Sequence, residues 1–225
     1  MMSKLGLVKP PRVRSPTTSD RTVRLICQAL DIDFDQRRSS SEISDEAHGS
    51  YSRREYKDYV GNFYYYRRNF HDHKEILRSA VKIGWDKTKH VLQFDEHNRI
   101  LDPSGRWKDL SQKGEISISS KFGLIHLQTV YKGALRLITV TKYRLNDDDD
   151  LTMHGIILTQ THQSHSRPSV AAIVFKKVLN STWDDEFKSR IGMIKPGNGE
   201  YNSWDQELTE AERNMNFALK VSTGS

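Results

Sequence analysis

The hydrophobic pattern of the chain changes period twice. Between Thr22 and Leu30, Val23, Ile26, Cys27 and Leu30 recur at i, i+3, i+4 and i+7, with Arg21, Arg24 and Gln28 off the stripe. Ser19 or Asp20 can accept from the first free backbone N–H groups, so the spacing predicts a short helix, ended by Asp31 to Phe34. A helix this short nucleates poorly alone and needs a partner for its stripe. From about residue 60 to 178 the period falls to two. Val60 to Tyr66 is aromatic-rich, and Ile76 to Trp85 sets Leu77, Ser79, Val81, Ile83 and Trp85 on one face with Arg78 and Lys82 on the other. Val91 to Phe94, Glu115 to Ser119, Phe122 to Val130, Ala134 to Tyr143, Leu151 to Gln160 and Val170 to Val178 continue the series. Asp102 to Gly105 reads as a type I turn and Tyr131-Lys132-Gly133 as a hairpin connection. The helical period returns near the end, where Leu208, Ala211, Met215 and Leu219 mark a helix from Trp204 to about Lys220.

The expectation is a mainly β (α+β) fold. About eight antiparallel strands form a barrel-like or strongly curved sheet, with a short N-terminal helix and a C-terminal helix. Closure into a barrel would remove exposed strand edges.

Composition divides the chain further. Lys and Arg number 35 against 29 Asp and Glu, a net charge of +6 over 225 residues. Nearly all of that excess lies in residues 1–30, where Lys4, Lys9, Arg12, Arg14, Arg21 and Arg24 face Asp20 alone. Residues 1–35 therefore read as a basic arm followed by the short helix, and residues 36–58, Ser-rich and charged, as a linker. Residues 59–225 form the β-rich domain with its C-terminal helix. No apolar run reaches the ~18 residues of a membrane span, and no secretory signal precedes the body. One cysteine excludes an internal disulfide framework and points to a reducing, cytoplasmic setting.

The sequence carries no catalytic signature. Glycine-rich phosphate loops and the G-x-S-x-G elbow are absent. Asp147 to Asp150 is a run of mutually repelling carboxylates, best placed in water, and Cys27 lies on an apolar stripe that favours an inert thiol. His71-Asp72-His73 and His162-x-x-His165 match no metal signature, so neither a metal nor a cofactor is expected. Polar side chains within apolar strands are costly to bury unless paired or offered to a ligand. Tyr65, Arg78, His126, Gln128, Arg136 and His154 are such residues and form the candidate ligand-binding set. Arg78 and Arg136 can hold an anionic head group while aromatic side chains wall an apolar body. Period two leaves open which face is interior.

Ser19 to Asp33 resembles the last helix of Cro/repressor-like (XRE) helix-turn-helix domains, matched here by Thr22, Val23, Ile26, Ala29, Leu30 and Ile32. Tyr59 to Arg67, Met153 to Leu158 and Arg167 to Ala172 look like parts of the β-rich sensory domain attached to some bacterial regulators of that type. The resemblance implies the small-molecule-sensing or protein-interaction domain of a bacterial transcriptional regulator. The DNA-reading bundle of that family takes about 60 residues. Only 18 residues precede the matching stretch, so the base-reading helices are expected to be missing from this chain. Any nucleic-acid contact then falls to Lys9, Arg12 and Arg14, as sequence-independent phosphate contacts. A homodimer is compatible with such a regulator. The competing expectation is a stand-alone lipocalin-like protein that binds a small apolar or anionic ligand.

Overall fold

Tyr64 and Tyr66 stack under aromatic rings on the outer side of a sheet whose inner side takes Phe63 and Tyr65. This two-sided burial explains the aromatic run of the first strand and organises the whole architecture. The computed structural model describes residues 42–101, 104–119, 121–131, 133–143, 151–161 and 167–220. The expected first helix, the basic arm with Lys9, Arg12 and Arg14, Cys27, the Asp147 to Asp150 run and the His162/His165 pair lie outside the described residues.

Eight strands form a closed antiparallel barrel: β1 (Gly61–Arg68), β2 (Ile76–Asp86), β3 (Val91–His97), β6 (Gln112–Ser119), β7 (Leu124–Tyr131), β8 (Ala134–Thr141), β9 (Thr152–Thr161) and β10 (Arg167–Val178). Each pairs with the next along the chain. β10 returns to β1 with Asn62 opposite Val178 and Tyr66 opposite Val174, which closes the ring. A small hairpin, β4 (Arg99–Leu101) and β5 (Trp107–Asp109), is inserted between β3 and β6 around the expected turn at residues 102–105. The strand expectations hold with ends shifted by a few residues, as fraying allows.

Alternation decides what lies inside. Phe63, Val81, Leu92, Phe94, Ile116, Ile118, Ile125, Leu127, Ile138, Val140, Met153, Ile157, Ile173 and Phe175 form one buried cluster. An eight-stranded barrel is just wide enough for such side chains to fill it. A second apolar layer lies outside, where Tyr64, Tyr66, Ile76, Ala80, Ala172 and Val174 are covered by α1 (Asp185–Ser189), β11 (Gly192–Ile194) and α2 (Tyr201–Lys220). Phe187 of α1 stacks on Tyr64 at 4.3 Å, and Trp204 of α2 stacks on Tyr66 at 3.5 Å. Arg68 fastens α2 through Asp205, Thr209 and Glu212 at 2.6–3.0 Å. Among the described residues, no helix is long and apolar enough to cross a membrane.

From residue 42 onward, the expected linker belongs to this body. Tyr51 and Tyr56 are each 2% exposed, and both join the interior cluster. The Tyr51 hydroxyl donates to the Ile116 carbonyl at 2.7 Å and accepts from the Leu92 N–H at 2.8 Å, bridging cross-strand partners of β3 and β6. Asp45 caps the short helical turn Glu46–His48. Gly49 ends it at φ +101°, where a Cβ would run into the Ile118 carbonyl. A Ser-rich composition signalled flexibility, but two large aromatic side chains were enough to seat the strap across one end of the barrel.

Candidate binding site at the barrel mouth

The barrel interior changes character along its axis. At the strapped end it is apolar and closed by Tyr51 and Tyr56, whose rings meet edge to face at 5.5 Å. At the opposite end, the end of β1 and the start of β2 are joined by β3, β6, β7 and β8 in a layer of inward polar groups: Tyr65, Arg67, Ser79, Glu96, Gln112, Thr129 and Arg136. Each follows from alternation: Tyr65 continues from Phe63, Glu96 from Leu92 and Phe94, and Arg136 leads into Ile138 and Val140.

Three of these groups form a closed network. Tyr65 donates to Glu96 Oε1 at 2.5 Å. Arg136 holds both carboxylate oxygens, Nη1 on Oε2 and Nη2 on Oε1 at 3.2 Å, and Nη2 also reaches the Tyr65 hydroxyl at 3.0 Å. Glu96 is 1% exposed, so this carboxylate depends on its partners for the solvation it lost. Burial pushes the Tyr65 phenol up, and the Glu96 charge pushes it further, so it stays a neutral donor. Burial works against the charge on Arg136, but Glu96 and Tyr65 outweigh it and keep the guanidinium more firmly protonated than usual.

Other polar atoms of the layer are left over. Ser79 Oγ, Gln112 Oε1 and Arg67 Nε are buried without a hydrogen-bond partner. Arg67 donates through Nη1 to the Arg68 carbonyl at 2.9 Å, and its guanidinium lies 4.2 Å over the Phe70 ring. Burial, with repulsion from Arg136, makes its charge harder to keep despite Tyr65 and Glu96. A pocket of about 210 Å³ lies between β1, β10 and α2, lined by Arg68, Phe70, His73, Val170, Ala171, Ala172 and Glu212. Phe70 and Ala171 also pack against the interior cluster, whereas Arg68, Ala172 and Glu212 place the pocket on the α2 side of the wall, and none of the unpartnered polar groups lines it.

Of the six residues expected at a ligand site, the structure brings Tyr65 and Arg136 into contact inside the barrel. The other four project outward, because each sits one position from an inward neighbour. Arg78 pairs with Glu200 at 2.9 Å, His126 meets Thr139 Oγ1 at 3.0 Å, His154 pairs with Glu207 of α2 at 3.2 Å, and Gln128 is exposed. These four do not line the interior. Arg67, Ser79, Glu96 and Gln112 do, and were missed. For Glu96 a signal existed: the alternation Leu92, Phe94 extends to it, beyond the expected end of that strand. His71 and His73 are exposed in the β1–β2 connection, and among the described residues no cluster of three metal-ligating side chains occurs. Comparison with protein-family models, with curated proteins and with solved structures gave no match.

Proposed function

We propose that residues 42–220 form a non-catalytic binding module that takes a small molecule at the polar mouth of the barrel. One observation carries this reading: the interior layer holds more donor and acceptor atoms than it can pair. Buried polar groups are usually satisfied, so leftover ones at a barrel mouth are groups that a ligand can complete. A lipocalin-like carrier remains the second reading, favoured by the closed eight-stranded meander alone.

The regulator assignment rests on the resemblance of Ser19 to Asp33. In that role, a ligand that binds one conformation or oligomer better than another shifts their balance, and an attached module responds. Thermal-shift screening of the full chain against small metabolites tests the module. A ligand at ~100 times its dissociation constant should stabilise the fold by about 2.7 kcal/mol. Failure of every compound to move the transition would overturn the reading.

A further inference from the structure

The outer wall of the barrel is of two kinds. On β7, β8, β9 and β10 the outward positions run from His126 to Val130, Leu135 to Thr141, His154 to Gln160 and Pro168 to Val174, and none of them is Lys, Arg, Asp or Glu. Charged residues belong on surfaces, and 28% of this chain is charged, so a wall without one stands apart from the rest. Of the ten large apolar side chains exposed among the described residues, five stand here: Val130, Leu135, Ile156, Leu158 and Val170. They are contiguous. Val130 lies opposite Leu135, and the half-buried Leu137 lies opposite Leu158, which is in turn opposite Val170. α2 covers Ala172 and Val174 at one edge of this wall and leaves those five exposed. The other wall is charged: β2, β3 and β6 turn Lys82, Asp95, Lys113 and Glu115 outward, with Lys113 on Asp95 at 3.0 Å and Lys89 on Glu115 at 2.7 Å.

We propose that the β7–β10 wall is the contact surface of a homodimer, centred on the Leu137 and Leu158 pair, with a second copy of this chain as its occupant. Composition favours a copy of itself. The outward positions of this wall include no Arg, Trp or Tyr, the anchors of transient hetero-complexes, whereas homodimer interfaces are the more apolar class and are depleted of charge at their centre. Charge favours it too. An uncharged wall meets its own copy without repulsion, while the wall of Lys82, Asp95, Lys113 and Glu115 would have to surrender the hydration of its charges. The area sets the strength. Four strands about 4.8 Å apart and some six residues long present about 400 Å² per copy, within the range of the largest patches on monomers and at the low end for a specific pair. The dimer is therefore a weak one, two sheets packed face to face that associate at micromolar concentration.

Sedimentation velocity of the full chain between about 1 and 200 µM tests this, with melting temperatures recorded over the same range. The expected result is a shift from monomer to dimer, with a melting temperature that climbs with concentration. Leu158→Lys and Leu158→Glu, both at an exposed position, should each remain monomeric at the highest concentration while melting as the dilute parent does. An equimolar mixture of the two should recover the dimer, because a residue near a two-fold axis meets its own copy. Leu135→Lys replaces either variant that loses its cooperative melt. Lys82→Glu, on the charged wall, should leave association unchanged. A dimer indifferent to Leu158→Lys, or abolished by Lys82→Glu, would overturn the assignment of this wall, and a mixture that stays monomeric would overturn the two-fold arrangement. A parent chain that stays monomeric throughout would overturn the second copy as occupant. A lowered melting temperature of Leu158→Lys would then assign the wall to another segment of the same chain, and an unchanged one to a different protein.

Discussion

Arg136 and Glu96, 40 residues apart in sequence, meet inside the barrel through both carboxylate oxygens and tie β3 to β8 across two intervening strands. A buried pair of this kind adds little net stability over an apolar replacement, but losing one partner leaves the other charge stranded. Glu96→Gln should therefore lower stability by about 3–5 kcal/mol. The double replacement Glu96→Leu with Arg136→Met should cost less than Glu96→Gln alone. Urea denaturation of the single and double variants measures both, and additive losses would contradict the coupling.

Tyr51→Phe keeps the ring and removes only the hydroxyl that joins Leu92 N–H to the Ile116 carbonyl. Two buried backbone groups lose their partner, so the expected loss is about 1–3 kcal/mol. Amide exchange at Leu92 should accelerate more than exchange at Ile173, on the opposite side of the sheet order.

His48 lies between Asp45 at 2.6 Å and Glu115 at 3.1 Å. Burial works against its charge, but hydrogen bonds to both carboxylates outweigh it and raise its pKa above the ordinary 6.5. A raised folded-state value means that the contribution is fully present below the unfolded pKa and is lost as pH climbs through the folded one. The strap should loosen as pH rises above the ordinary imidazole value of 6.5, and His48→Gln should flatten that dependence. Denaturation midpoints across this rise provide the check.

Gly155 faces the interior, where the β8 backbone approaches so closely that a Cβ would run into the Thr139 carbonyl and lie 2.7 Å from Val140 Cα. Gly155→Ala should thus be strongly destabilising. Gly84→Ala, on β2 with no atom within 4 Å of the added carbon, should be tolerated. Comparing soluble yield and melting temperature of the two variants decides this.

If Lys9, Arg12 and Arg14 contact nucleic acid, binding should be weak, indifferent to sequence and steeply salt-dependent, because phosphate contacts release counterions. Deleting residues 1–18 should abolish it. Filter binding at two salt concentrations shows the slope, and retention by the truncated chain would move the contact to the barrel.

The eight barrel strands and the C-terminal helix were legible in the chain, because period two and period 3.6 are local properties of neighbouring residues. Tyr65 and Arg136 were legible as polar residues in apolar strands. Arg78, His126, Gln128 and His154 met the same criterion and lie on the outer surface. The strap at residues 42–58 went unrecognised because its polar composition outweighed Tyr51 and Tyr56.

The sequence alone thus determined that alternating strands exist, roughly where each begins, and that a few carry polar residues at odds with an apolar wall. Only the tertiary structure decided which face of each strand became the interior, since a one-residue change of parity exchanges Arg78 for Ser79. Barrel closure decided the rest. It brought Tyr65, Glu96 and Arg136 from three separate strands into a single hydrogen-bonded network, and it left Arg67 Nε and Ser79 Oγ without a hydrogen-bond partner.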